Sequence, residues 1–259
     1  MKREKTTTGT WLVDLGNTRL KWARADRLAE QGARAIAHDR GTGGAALDAI
    51  LSDVRAGDRV WIASVAGPAA TETVESALTR LGAQVTCAAT RPRFAGVRIA
   101  YAEPSRLGVD RFLALLAARA RARQAWLVVG VGTALTIDLL AADGVHHGGL
   151  IAPSPTLMRE ALSQRAPQLP REGGNVVDFA DDTIDALASG AILCARSLVA
   201  RSLQAARRRL AVAPALLVAG GGADALLEGW RVRASHASDL VLEGLAVYAG
   251  DARKLAGGC

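Results

Sequence analysis

The chain has 259 residues, half of them apolar and 22% charged, which is too apolar for a disordered chain and enough to bury two lobes or one large domain. Aromatic residues make up only 4%, so the core must be built from Ala, Leu and Val, a composition suited to helices packed on sheets. The formal charge is +7, but the basic residues scatter along the chain with Arg207-Arg208-Arg209 as the one run, so neither a nucleic-acid surface nor an anionic membrane is the expected partner.

In chain order, residues 1–9 read as a frayed tail and 10–15 as a buried strand. Gly16-Asn17-Thr18 then makes a tight turn into a return strand at 20–24. A helix is expected at 45–54, a short apolar strand at 60–65, a helix at 69–81 and a strand at 85–89. The segment 91–101 reads as a loop, and helical spacing runs from about 105 to 123. A second round starts with a strand at 126–131, a Gly132-Thr133 turn and a return strand at 135–141. Gly148–Ile151 follows, with helices at 155–164 and 183–210. A strand at 215–219 runs into Gly220-Gly221-Gly222, short helices are expected at 223–228 and 240–248, and 256–259 reads as a frayed end.

The informative feature is the echo between these two rounds. Asp14-Leu15-Gly16-Asn17-Thr18 and Gly130-Val131-Gly132-Thr133 share the pattern of buried strand, small polar turn and second strand, about half a chain apart. Either two αβ lobes carry unrelated Gly/Thr turns, or a duplicated fold faces two hairpins across a cleft to grip a nucleotide's phosphates. The expected division is a first lobe at 1–120 and a second at 121–259.

Each motif has a chemical reading beside a structural one. A Gly at a strand turn lets backbone N–H groups approach phosphate oxygens, and Asn17 and Thr18 add donors. Asp14 can hold Mg²⁺ directly or through water, and Lys21 supplies charge for the β- and γ-phosphates. A carboxylate in an otherwise apolar strand is costly without a partner, which favours function over a solvated hairpin. Asp110-Arg111, at the start of a helix, is either a helix-end charge pair or a general base beside an anion holder. Asp138 can hold a metal or water, or pair with an arginine. The glycines of Gly220-Gly221-Gly222 allow a base or ribose to lie against backbone.

Other patterns lead nowhere. There is no P-loop and no nucleophile elbow, and Gly41-Thr42-Gly43-Gly44 reads as a loop. His146-His147 reads as a polar turn, while His38 and His236 have no identifiable partner. Cys87, Cys194 and Cys259 share no short spacing, so neither a disulfide framework nor a CxxC zinc site is expected. No signal-peptide core follows the basic start. The longest mostly apolar stretch, near 125–137, falls short of the roughly 18 residues of a membrane span, so a cytoplasmic protein without membrane contacts is expected.

The ordered set Asp14-x-Gly16-Asn17-Thr18-x-x-Lys21, Gly108-x-Asp110-Arg111, Gly132-Thr133-Ala134-x-Thr136-x-Asp138, Gly148-Gly149-x-Ile151-x-Pro153 and Gly220-Gly221 resembles the type III pantothenate kinases, the family that includes the Bvg accessory factors. The resemblance runs from about Trp11 to Tyr248. It implies an α/β fold of two RNase-H-like lobes of the actin/hexokinase-like (ASKHA) superfamily with an interlobe cleft, and a homodimer. It also implies phosphorylation of pantothenate by ATP to 4′-phosphopantothenate, the first step towards coenzyme A.

Residue by residue, the resemblance implies that Asp14, Gly16, Asn17, Thr18, Lys21, Gly132, Thr133, Gly220 and Gly221 serve ATP, with Asp14 near Mg²⁺. Tyr101, Gly108, Val109, Asp110, Arg111 and Thr183 would serve pantothenate, with Asp110 as proton acceptor. Many members carry an Asp two residues before the Gly-Thr-Ala turn that binds a monovalent cation. Here that position is Gly130, so dependence on potassium or ammonium is not implied. Two rival readings remain: a non-catalytic nucleotide-binding regulator of transcription with the same fold, and a related kinase acting on another small hydroxy compound.

Overall fold

A computed structural model describes residues 8–38 and 44–256. Residues 1–7 of the tail predicted at 1–9, residues 257–259 of the end predicted at 256–259, and residues 41–43 of the glycine-rich loop lie outside them. The chain forms two compact units. The first comprises the described residues of Met1–Ala95, Ala102–Ala117 and Asp239–Cys259, and the second comprises Gly96–Tyr101 and Ala118–Ser238. The expected lobes were contiguous at 1–120 and 121–259. The C-terminal helix belongs to the first unit, and the boundary near the middle of the chain falls inside a helix, between Ala117 and Ala118.

The first unit opens with strands β1 (Thr10–Leu15) and β2 (Arg19–Arg24), helix α1 (Leu28–Gln31), β3 (Arg34–Ala37) and α2 (Ala45–Asp53). It continues through β4 (Arg59–Ser64), α3 (Pro68–Arg80), β5 (Gln84–Cys87) and the two-residue β6 (Arg93–Phe94). The sheet order is β3-β2-β1-β4-β5, with β1 antiparallel to β2 and parallel to β4. The apolar run of β1 and β4 suits strands in mid-sheet, covered on both faces. Val13, Leu15, Leu20, Trp22, Ile50, Val60, Ile62 and Leu78 form one core with α2 and α3. Trp22 is fully buried and its indole N–H donates to Asp53 Oδ2 at 2.7 Å, so the ring fills the core without leaving a polar atom unmatched.

The chain then runs through β7 (Val97–Arg98) and a 3₁₀ turn at Pro104–Arg106 to α4 (Val109–Arg121). The second unit repeats the pattern. Strands β8 (Trp126–Val131), β9 (Ala134–Leu140) and β10 (His146–Pro153) lead to α5 (Pro155–Arg165) and the long α6 (Thr183–Leu210). Then come β11 (Ala215–Ala219), α7 (Ala223–Leu227), β12 (Ala234–Ala237) and, back in the first unit, α8 (Leu240–Ala256). Its sheet order is β10-β9-β8-β11-β12, the same order and the same parallel and antiparallel sense as the first sheet. The predicted echo between the two hairpins is thus an echo of two whole sheets.

Helix α6 starts where the Asp182 carboxylate accepts the Asp185 N–H at 2.8 Å and ends with Arg207, Arg208 and Arg209 in its last turn, opposite charges at opposite dipole ends. By length and composition it is, among the described residues, the one helix that could cross a membrane, which the sequence reading did not anticipate. Its Ala195, Val199 and Ala206 nevertheless pack against Leu127, Val129, Ile137 and Val218 of the second sheet, as those of a core helix do.

Candidate active site

In the first unit Asp14 and Lys21 are direct cross-strand partners on β1 and β2, one residue pair back from the turn. The turn closes with the Gly16 N–H donating to the Arg19 carbonyl at 3.0 Å, leaving Asn17 and Thr18 exposed. His38, for which the sequence suggested no partner, sets a ring nitrogen 3.0 Å from the Gly16 carbonyl and braces the turn.

Asp14 keeps some solvent access, yet its carboxyl is pushed up to about 7, first by burial and then by the nearby Asp110 and Asp239 carboxylates, with Lys21 pulling the other way. Asp239 was missed by the sequence reading. Its Oδ1 lies 3.2 Å from Lys21 Nζ and its Oδ2 accepts the Ala33 N–H at 3.2 Å. The sequence signal for it was weak: an Asp just before a helical pattern, which reads as a cap.

Asp110 stands in the first turn of α4, its Oδ1 accepting the Arg111 N–H at 2.7 Å. That carboxylate folds back over residue 108, where a Cβ would come within 2.6 Å of Oδ1, so a side chain there would have to push the Asp110 carboxylate aside. Val109 opens the helix, and Arg111 is buried at 6% exposure. The first unit therefore collects Asp14, Lys21, Asp110 and Asp239 into one charged cluster beside the Gly16 turn.

The second unit builds a neutral counterpart. Gly132 and Thr133 form the exposed β8–β9 turn, closed by the Gly132 N–H donating to the Ala134 carbonyl at 3.0 Å. The Gly220-Gly221-Gly222 loop lies against the same strand end. Gly222 N–H donates to the Val131 carbonyl at 3.0 Å, and Gly220, at a φ of +98°, approaches that carbonyl so closely that any side chain would overlap it. The structure thus joins two motifs that the sequence could only list separately.

Gly130 pairs with Thr136, whose hydroxyl lies where a side chain at 130 would begin. Asp138 has a partner that the sequence did not suggest: its Oδ1 lies 2.9 Å from Nε2 of His146, both groups buried. His146 is therefore a core residue at the start of β10, not part of a polar turn. Tyr101 stacks on its ring with planes 5° apart. His236 is within 3.5 Å of Asp224. Thr183, in the first turn of α6, is exposed on a shallow depression shared with Leu169, Ala180 and Leu187.

The sequence profile of the type III pantothenate kinases matches residues 11–205. The chain belongs to this family. Relatives named type III pantothenate kinase include one from Xanthomonas euvesicatoria, 52% identical over 240 residues, and one from Stenotrophomonas maltophilia, 52% identical over 242; each match covers 92% of this chain and 96% of the relative.

Among solved structures, the chain is similar to a Baf-family protein from Campylobacter jejuni described as a transcriptional activator (TM-score 0.63, 20% identity, covering 94% of this chain and 99% of the other). It also resembles MreB5 of Spiroplasma citri bound to ADP (0.51, 11% identity, covering 98% and 99%). A third likeness is to a Sinorhizobium meliloti protein described as 2-dehydro-3-deoxygalactonokinase (0.52, 17% identity, covering 95% and 99%). At these identities the likeness is one of fold, and the fold is actin/hexokinase-like. As a member of the family the chain is a kinase.

The residues present suit a magnesium ion. Asp14, Asp110 and Asp239 bring three carboxylates against one ammonium, and their repulsion adds to burial in raising Asp14. Among the described residues no group of three His, Cys, Asp or Glu forms a dedicated metal cage. Magnesium takes one or two carboxylates and completes its shell with water and phosphate oxygens, so a lone Asp14 is the kind of anchor it uses.

Proposed function

We propose that this kinase transfers the γ-phosphoryl group of ATP to the 4′ hydroxyl of pantothenate, opening the route to coenzyme A. The observation that carries the residue assignment is the charged cluster of the first unit, where the half-buried Asp14 pairs across the strands with Lys21 and lies within electrostatic reach of Asp110. Phosphoryl transfer asks a protein mainly for positioning and charge neutralisation, and this cluster supplies both.

In this reading Gly16, Asn17, Thr18 and Lys21 hold the ATP phosphates, Gly132 and Thr133 serve the same nucleotide, and Gly220 with Gly221 lies along its nucleoside. Asp14 anchors Mg²⁺, which when bound neutralises phosphate charge. Asp110 accepts the proton of the attacking hydroxyl. Gly108, Val109 and Arg111 hold the acceptor with Tyr101 and Thr183, Arg111 offering an always-charged donor for a carboxylate. With Gly130 in place of an acidic residue and the Thr136 hydroxyl beside it, the monovalent-cation site as the family usually builds it is missing.

The enzyme works as a cytoplasmic homodimer, without nucleic-acid or membrane partners. Edge strand β10 exposes Leu150 and Ile151, at 44% and 66%, and Leu162 and Phe179 are exposed in the same unit, an apolar surface that a second copy would cover.

A coupled ADP-release assay tests the function. ADP release that depends on pantothenate is expected, and release with another hydroxy acceptor but none with pantothenate rules out the substrate. Asp110→Asn should lower kcat by about 10²–10⁴-fold while ATP affinity stays within about threefold. A near-normal kcat in that variant ends the base assignment.

A further inference from the structure

The second unit holds a buried polar chain that the ATP chemistry does not use. Asp138 on β9 is 3% exposed and His146 on β10 is 1% exposed, with Oδ1 and Nε2 2.9 Å apart. On the other side of the ring, Nδ1 accepts the backbone N–H of Ala100 at 3.3 Å. That contact requires Nδ1 to be unprotonated, so the ring proton sits on Nε2, where the Asp138 carboxylate accepts it. A carboxylate that fixes a histidine tautomer in this way also fixes the ring's orientation.

The oriented ring carries the next residue. Tyr101 lies parallel to His146, with centroids 6.2 Å apart and planes 5° apart, an offset stack within the range in which aromatic pairs attract. The segment bearing Tyr101 is held beside β10 at a second point, where the Arg98 N–H donates to the Gly144 carbonyl at 2.9 Å and Arg98 bridges Val145 in parallel. His146 therefore grips this segment by backbone at Ala100 and by ring at Tyr101.

We propose that His146, oriented by Asp138, is a positioning residue for the acceptor site: it sets the place of Tyr101 and so the affinity for pantothenate, without touching substrate. This rests on the reading of Tyr101 as a lining residue of that pocket. An imidazole is suited to the task because it accepts from Ala100, donates to Asp138 and offers a flat face to Tyr101 at once. Asparagine keeps an acceptor at the Nδ1 position but loses both the ring face and the reach to Asp138.

The test is a double-mutant cycle read on KM for pantothenate, KM for ATP and kcat. Tyr101→Ala should raise KM for pantothenate about tenfold. His146→Asn should raise it about fivefold with KM for ATP unchanged and kcat within about twofold. The double variant should resemble Tyr101→Ala alone, because one residue acts through the other. Asp138→Asn, which keeps an acceptor for Nε2–H, should move KM for pantothenate in the same direction by about twofold, and it serves the test if His146→Asn does not fold.

A purely structural role predicts a lower melting temperature with unchanged KM in His146→Asn and Asp138→Asn, and that overturns the proposal, as do additive effects in the double variant. If Tyr101→Ala leaves KM for pantothenate unchanged, the reading of Tyr101 itself falls and the positioning role falls with it. An unchanged KM in the His146 and Asp138 variants, beside a raised one in Tyr101→Ala, ends the positioning role alone.

Discussion

The two sheets share one topology, and their first hairpins differ in charge. Asp14 stands two residues before Gly16 and pairs across the strand with Lys21; Gly130 stands two residues before Gly132 and pairs with Thr136. Each position also has an alanine as its parallel neighbour, Ala63 in one sheet and Ala219 in the other. The same backbone slot thus holds an ion pair in the first unit and a glycine with a hydroxyl in the second. Strand order is set by apolar burial and survives such exchanges, because positions 14 and 130 lie outside the two core clusters, whereas their neighbours Leu15 and Val131 belong to them. In the proposed reading the halves divide the labour: charge in the first, backbone donors and buried positioning groups in the second.

Removing the charge of the first hairpin should produce the largest change. Asp14→Asn is expected to lower kcat/KM for ATP by about 10²–10³-fold under saturating Mg²⁺, measured in the coupled assay. The same variant should be more stable than the parent when no ligand is present. The Asp14 carboxyl is pushed up to about 7 in the folded protein from an ordinary value of 3.8, so the folded protein binds more protons than the unfolded chain between those values. Stability from this group is therefore lost as pH rises from about 4 to about 7 and stays lost above. Melting curves should show the gain of Asp14→Asn over the parent growing from pH 5 to pH 8. A gain that shrinks over that interval contradicts the raised carboxyl.

A smaller change is expected at the partner. Lys21→Met should raise KM for ATP by roughly tenfold, and because Lys21 draws the Asp14 carboxyl downward, half-maximal activity at pH 7 should require more Mg²⁺. Asp239→Asn should show the reverse sign in the magnesium titration, since Asp239 pushes Asp14 up. If both variants shift the magnesium requirement in the same direction, the cluster does not act electrostatically as described. At the surface of the other unit, Ile151→Arg should move the protein from dimer to monomer in size-exclusion chromatography.

The sequence was most legible where pattern and burial agree. Strands β1, β8 and β11 and helix α6 fall on their predicted bounds because each is a continuous or periodic apolar segment ended by Gly or a capping Asp. Strands β3 and β12, read from RAIA and ASHA, were missed. They are short, mostly exposed edge strands, ordered by pairing with β2 and β11 rather than by any pattern of their own. Within the site, the turn glycines and Asp14, Lys21 and Asp110 were legible as motifs. Asp239 and the Asp138–His146 pair were not, because their roles come from contacts formed by the fold: 218 residues separate Lys21 from Asp239. A buried His–Asp pair eight residues apart looks, in sequence, like two unrelated polar residues.

The smallest effect belongs to the neutral hairpin, and it is an expected absence of response. With glycine at 130 there is no carboxylate at the strand end to hold a monovalent cation, and the Thr136 hydroxyl lies 2.6 Å from where a Cβ would begin. Initial rates in potassium, ammonium and choline chloride at equal ionic strength should therefore agree within about twofold. Gly130→Asp does not simply restore a cation site, because the new side chain must displace the Thr136 hydroxyl, an overpacking that costs roughly 1–3 kcal/mol. Gly130→Asp combined with Thr136→Ala removes the obstruction, and the pair should recover most of the lost melting temperature. Stimulation of the parent enzyme by potassium of more than about fivefold would show that another group carries the cation, and that the second hairpin is not the neutral half of the duplication.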